Sequence, residues 1–306
     1  MGMLKSLKHA MTNRLVGIGV IVLLICGGLY VSTVGAVDSQ RTCCLWKVTT
    51  PQNTVYLLGS IHMLEEKHFP LRRPIYEALQ RAKHVVFEVN PASLAQAESS
   101  LTMLKMGVFT NGETLSTQLS PNGFAVAKTQ LQNRGYDIEQ FNRFKPWFLA
   151  LTITSVELQK LGFNPDIGVD NHLYDMAQKQ GKGIHGLETF EDQMSIFNNM
   201  SPKTQELFVL QSLTELSLIE SEINGLMRSW VQGNAKGLEV MLNSMKQFPA
   251  VFQALITNRN QKWMPQIQSF LGKRDNYLVV VGSLHLLGKG GLLEMLKQKG
   301  YAVDQL

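Results

Sequence analysis

The sequence has 306 residues, 44% of them hydrophobic and 17% charged, and its 29 basic and 24 acidic side chains give a net charge of +5. A chain of this length can bury a full core, and this composition excludes disordered, collagen-like and coiled-coil readings. Lys5, Lys8 and Arg14 precede every acidic residue, so residues 37–306 hold 26 basic against 24 acidic side chains, a balance too even for a nucleic-acid footprint.

The three basic residues are followed by an uncharged apolar run from Leu15 to Val31. Residues 1–36 therefore read as a signal peptide or a membrane anchor. Val34-Gly35-Ala36 has the small-residue spacing of a cleavage site, whereas residues 15–31 would provide inner-membrane attachment if retained. Both readings leave the remainder outside the cytoplasm, in the periplasm or secreted. In an oxidising compartment the adjacent Cys43 and Cys44 could form a vicinal disulfide, cross-link two chains or stay free; with no cysteine further along, they make no zinc knuckle.

Leu45 to Val48 reads as a strand, Pro51-Gln52-Asn53 as a turn, and Thr54 to Leu58 as a strand apolar on both faces, the pattern of an α/β sheet. Pro74 opens a helix with Ile75, Ala78, Leu79 and Ala82 on one face, and His84 to Val89 is the next strand, completing a βαβ unit. A mainly helical region follows. Helices are expected from Pro121, from Pro146 toward Leu161, from Leu207 to Trp230, after Asn234, and from near Pro249 through Arg259, Asn260 and Trp263. Within it, Gly183 to Leu187 is a short strand ending at Glu188. The carboxyl terminus repeats the βαβ design: a strand Tyr277 to Val281, a helix Gly291 to Lys299, and a last strand Tyr301 to Val303. No Pro-, Gly- or Ser-rich linker divides residues 37–306, which read as one domain with a mixed, largely parallel central sheet and a helical middle.

Two phrases agree in pattern at every position, Gly59-Ser60-Ile61-His62-Met63-Leu64 and Gly282-Ser283-Leu284-His285-Leu286-Leu287, each just after a buried strand. Ligands of open parallel sheets bind beyond the carboxyl ends of the strands, where His62, Glu88, Glu188 and His285 all fall. Two imidazoles and two carboxylates without thiolates suit a divalent ion such as manganese, cobalt or zinc, with positions left for water. Metal-bound water supplies hydroxide near neutral pH, a spare glutamate can move the proton, and Arg259 could stabilise an oxyanion, so hydrolysis is the natural reaction class. The competing reading makes the Gly-Ser-x-His phrases plain turns and pairs Glu88 with Arg259.

From Leu45 onward the chain resembles the TraB/PrgY/GumN family, through Leu45-Trp46-Lys47, Leu58-Gly59-Ser60-Ile61-His62, Val85-Val86-Phe87-Glu88, Gly168-Val169-Asp170, Gly186-Leu187-Glu188-Thr189, Asn258-Arg259-Asn260 and Val281-Gly282-Ser283-Leu284-His285-Leu286. The resemblance implies an erythromycin-esterase/ChaN-like α/β fold and kinship with the Tiki metal-dependent peptidases. It makes His62 and His285 the expected metal ligands, Glu88 and Glu188 their acidic partners, and Arg259 and Asp170 polar groups beside them. The expected activity is that of an exported metal-dependent peptidase acting on a peptide or other small secreted substrate. The alternative is a non-enzymatic extracytoplasmic binder of a peptide or glycan, tied to pheromone shutdown or polysaccharide assembly.

Overall fold

The strand Thr54–Ser60 is buried along almost its whole length because both of its faces are apolar. In the computed structural model, which describes residues 42–94 and 97–306, it is central to a six-stranded sheet. The strands are β1 (Leu45–Thr49), β2 (Thr54–Ser60), β3 (His84–Val89), β4 (Gly183–Glu188), β5 (Tyr277–Gly282) and β6 (Asp304–Gln305), in the spatial order β4-β3-β5-β2-β1-β6. The four strands β4, β3, β5 and β2 run parallel, and β1 and β6 pair antiparallel at one edge. This is the mixed, largely parallel α/β sheet expected from the sequence. The leader reading of residues 1–36 lies outside the described residues, among which no helix is long and apolar enough to cross a membrane.

The last strand differs from expectation. It forms at Asp304–Gln305 rather than Tyr301–Val303, and it joins β1. After the helix Leu292–Gln298 the chain turns at Gly300, with φ at 87°, and the connection from β5 passes β2 and β1 to reach the free edge of β1. There Leu306 N donates to Leu45 O at 2.9 Å, and Cys43 N donates to Leu306 O at 2.6 Å. Cys43 and Cys44 are buried free thiols, and burial pushes the Cys44 thiol up to about 12.

The apolar stretch Leu207 to Trp230 also divides, into helices Pro202–Glu215 and Ile219–Val231. At the break Ser217 Oγ donates to the Thr214 carbonyl at 2.9 Å, the local side-chain bond that competes with helix continuation. Both helices still turn Leu213, Leu216, Ile223, Leu226 and Trp230 into one buried apolar cluster shared with the sheet.

The sheet order decides where the chemistry lies. Because β5 sits between β2 and β3, the two Gly-Ser-x-His phrases leave adjacent parallel strands, with Gly59 opposite Val281 and Ser60 opposite Gly282. Glu88 and Glu188 end the next two strands on the same side.

One further polar cluster braces the helical region. Glu157, on the helix Pro146–Lys160, accepts from Arg134 Nη1 at 2.7 Å, from Tyr136 Oη at 2.6 Å and from Lys160 Nζ at 2.6 Å. Burial pushes its carboxyl up, but these donors outweigh burial and hold it below its ordinary value of 4.5. A depressed carboxyl contributes stability above the unfolded-state value and loses it as pH falls through the folded one. Glu157→Gln is therefore expected to cost about 1–3 kcal/mol at neutral pH. In urea unfolding followed against pH, wild type and variant converge below about pH 4.5; a gap that stays constant down to pH 2 would remove the ionised carboxyl from the account.

Candidate active site

Arg259 lies at the start of the helix Asn258–Leu271, directly after a π-helical turn, Gln253–Thr257. Such turns leave backbone carbonyls out of the regular ladder. Arg259 uses one of them, donating from Nη1 to Leu255 O at 3.3 Å. The guanidinium then reaches across the carboxyl ends of three parallel strands. Nη2 donates to Glu88 Oε2 in a very short contact and to Glu188 Oε1 at 2.7 Å; Nε donates to Glu188 Oε1 at 3.1 Å; and Nη1 donates to His285 Nε2 at 2.9 Å. All five N–H groups of the guanidinium are thus committed. Its face rests on Trp263, 4.5 Å from the ring centroid, and Trp263 Nε1 donates to Glu188 Oε2 at 3.1 Å.

Each remaining group has a partner that sets its state. Glu88 Oε1 accepts from the Gly282 amide at 2.7 Å, and Glu88 Oε2 accepts from Gln193 Nε2 at 3.3 Å. Burial alone would raise the Glu88 carboxyl, but Arg259, the two histidines and the Gly282 amide bring it down to about 2. Glu188 moves up, because burial outweighs its share of the same guanidinium. One guanidinium cannot fully compensate two carboxylates, and Glu88 takes most of its benefit. His285 donates from Nδ1 to Asn260 Oδ1 at 2.7 Å, leaving Nε2 as an acceptor for Arg259. Burial, then the Arg259 charge, push His285 down to about 3, so it is neutral.

His62 is held differently. Its Nδ1 lies 2.8 Å from Asp170 Oδ2, and Asp170 Oδ1 accepts from Ser60 Oγ at 3.0 Å. The Asp170 charge and hydrogen bond outweigh burial and raise the His62 pKa. His62 Nε2 is buried with no hydrogen-bond partner. The two phrases interlock beneath it: a side chain on Gly59 would meet Ser283 Oγ at 2.8 Å, and Ser283 Oγ donates to Ser60 O at 3.0 Å. A Cβ on Gly282 would stand 3.2 Å from both Glu88 Oε1 and His62 Nε2 and 3.6 Å from His285 Cδ2. That hollow is where the donor atoms converge. Gly186, without a side chain, lets β4 approach the Asn90 amide.

The structure therefore gathers His62, Glu88, Glu188, His285, Arg259 and Asp170 at one end of the sheet, with a division of labour that spacing did not foresee. The four expected ligands do not form one ligand set: Arg259 stands among them as a fixed cation, and no group of three or more His, Cys, Asp or Glu residues among the described residues is arranged to hold an ion. The fit is better for two of them. His62 Nε2, an orphaned buried nitrogen, and Glu88 Oε1 flank a hollow that only glycine leaves open. Two carboxylates bear on these donors: Asp170 holds His62 Nδ1, and Glu88 keeps its other oxygen on Arg259. Of the expected ligands, these two leave donor atoms open for an ion. Glu188 and His285 stand apart, engaged with Arg259. The pairing of Glu88 with Arg259, the competing sequence reading, is also present.

Sequence reasoning did not single out Asn260, Trp263 and Gln193 as part of this network. The cues were weak: Asn260 adjoins Arg259 within the Asn258-Arg259-Asn260 phrase, and Trp263 follows Arg259 by one helical turn.

The family model described as TraB/PrgY/gumN family matches residues 44–305. The chain is 25% identical to the uncharacterized protein YbaP of Escherichia coli, over 82% of this chain and 90% of that protein. It is 22% identical to the Metalloprotease TIKI homolog of Amphimedon queenslandica, over 86% of this chain and 61% of the relative. An uncharacterized protein of Treponema pallidum is 19% identical over 70% of this chain and 64% of its own length. No solved structure matches the chain significantly.

Arg259→Met would leave Glu88 and Glu188 buried without their counter-charge, at an expected cost of about 3–5 kcal/mol. The double variant with Glu188→Gln should recover part of that loss in urea unfolding. A single variant as stable as wild type would mean that the two carboxylates do not depend on the guanidinium.

Proposed function

The chain belongs to the TraB/PrgY/gumN family, and from that membership we propose that it is an exported hydrolase that cleaves a peptide bond in a secreted or envelope substrate with the help of a divalent ion held by His62 and Glu88. The observation that carries this reading is the hollow over Gly282, where the unpartnered His62 Nε2 faces Glu88 Oε1. A distant relative named as a metalloprotease supports the reaction class. The basic and then apolar leader of residues 1–36 supports export, with attachment through residues 15–31 if the leader is retained.

When bound, manganese, cobalt or zinc would supply a Lewis acid that polarises a carbonyl and acidifies water. The chain's own residues prepare for it. Asp170 Oδ2 accepts a 2.8 Å hydrogen bond from His62 Nδ1 and so leaves the Nε2 lone pair facing the hollow. The Gly282 amide and Arg259 keep Glu88 ionised, with Oε1 turned to the same place. Arg259 has no N–H to spare for an oxyanion, so it acts as the clamp on both carboxylates. His285, fixed by Asn260, orients that clamp through Nε2. Glu188, the carboxylate outside the hollow, is assigned the proton transfer.

Elemental analysis of the purified chain equilibrated with mixed divalent ions, paired with a peptide-library cleavage assay, tests the assignment. His62→Ala and Glu88→Gln are expected to lose about one ion per chain together with cleavage. Glu188→Gln should keep the ion and lose about a hundredfold in kcat. No difference in ion content between wild type and His62→Ala would overturn the metal assignment. Peptide capture without cleavage would turn the chain into a binder.

A further inference from the structure

At the opposite end of the sheet a second pair of histidines meets outside the site described above. His84 opens β3 and His185 lies within β4, and His84 Nδ1 is 3.1 Å from His185 Nε2. Glu88 is four residues further along β3, so this pair lies about 13 Å from the Arg259 centre along the strand. Two nitrogens bound to one ion at about 2.0–2.1 Å are separated by about 2.9 Å at a right angle and about 3.4 Å at the tetrahedral angle. The observed separation falls within that span.

Three further observations favour a ligand pair over a chance contact. Gly183 pairs with His84 in register, and a Cβ there would collide with His84 Nδ1 and stand 3.3 Å from His185 Nε2. Both nitrogens therefore converge over a position without a side chain. The His84 ring is fixed by stacking on Tyr277, with centroids 4.8 Å apart and planes 19° apart, and Tyr277 stacks in turn on Phe270 at 4.6 Å. Asp275 Oδ2 lies 3.4 Å from His84 Nε2, the ring nitrogen away from His185, and Lys83 Nζ holds the same oxygen at 3.0 Å. A carboxylate on the far nitrogen of an imidazole leaves the near one as a lone pair, the usual support of a metal-binding histidine.

We propose that His84 and His185 form a peripheral site for one borderline divalent transition-metal ion, copper(II) or zinc, with Asp275 as positioning residue and water completing the shell. Imidazole donors suit such ions, and copper(II) binds nitrogen sites most tightly among them. The ion would clip the edge strand β4 to β3, and because the register exists only in the folded chain, binding would stabilise the fold. His185 is exposed, so an ion reaches it without rearrangement of the core.

The test uses the full chain carrying His62→Ala, which removes the carboxyl-end donor and keeps this proposal separable from the hydrolase reading. Copper(II) titration followed by electron paramagnetic resonance should give one ion per chain, with hyperfine structure from two imidazole nitrogens. His185→Ala, an exposed change checked for folding by circular dichroism, should abolish that signal, and Asp275→Asn should weaken copper binding by roughly tenfold. Zinc should raise the Tm of the His62→Ala chain and leave the His62→Ala/His185→Ala chain unmoved. A copper spectrum indifferent to His185→Ala, or no copper bound at all, would reduce the pair to a histidine–histidine hydrogen bond and overturn the proposal.

Discussion

The buried guanidinium of Arg259 is the constraint on which the rest of the site depends. Two carboxylates from neighbouring parallel strands end side by side in a water-poor interior, where like charges cannot both remain ionised without compensation. Arg259 supplies it, and in doing so ties together the ends of β3 and β4, the helix that carries it and His285. A buried charge cluster of this kind adds little net stability, because desolvation offsets its Coulombic gain. What it fixes is orientation: with every guanidinium N–H engaged, no single member can rotate without stranding another.

The hollow over Gly282 follows from that constraint. Glu88 gives one oxygen to Arg259 and, held by the Gly282 amide, turns the other toward His62. The two matching phrases then take different roles although their Gly, Ser and His positions agree. The first leaves β2 into a bend, and Asp170 from a neighbouring helix claims its histidine. The second enters a short helix, Ser283–Leu286, and its histidine faces Arg259 and Asn260. One histidine is left with a free nitrogen and the other is neutral and fully engaged, so the duplicated motif yields an asymmetric site.

The two ends of the sheet treat their histidines by the same physics. In both places a carboxylate holds one ring nitrogen, and a glycine opens the space before the other. The carboxyl end is buried and crowded by charge, whereas the amino end is open to solvent and backed by stacked aromatic rings. Burial therefore separates a fully engaged charge network from a histidine pair that water reaches.

Local pattern was enough for much of this. Two-faced apolar strands, Pro-initiated helices and strand-end positions for His62, Glu88, Glu188 and His285 are properties of short segments, and the α/β sheet was readable from them. The late final strand escaped because it depends on where distant segments pack, and the break at Ser217 because a local bond from Ser217 Oγ to the Thr214 carbonyl interrupts an unbroken apolar period. Spacing placed Arg259 near the site but could not show that its guanidinium would stand among the expected ligands. That depends on β5 inserting between β2 and β3 and on a π turn rotating one helix, and neither leaves a period in the sequence. The sequence by itself determined which residues end the strands, because hydrophobic alternation and turn chemistry are local. Only the tertiary structure decided which of those residues touch, because contacts among four strands and a helix depend on sheet order and long-range packing.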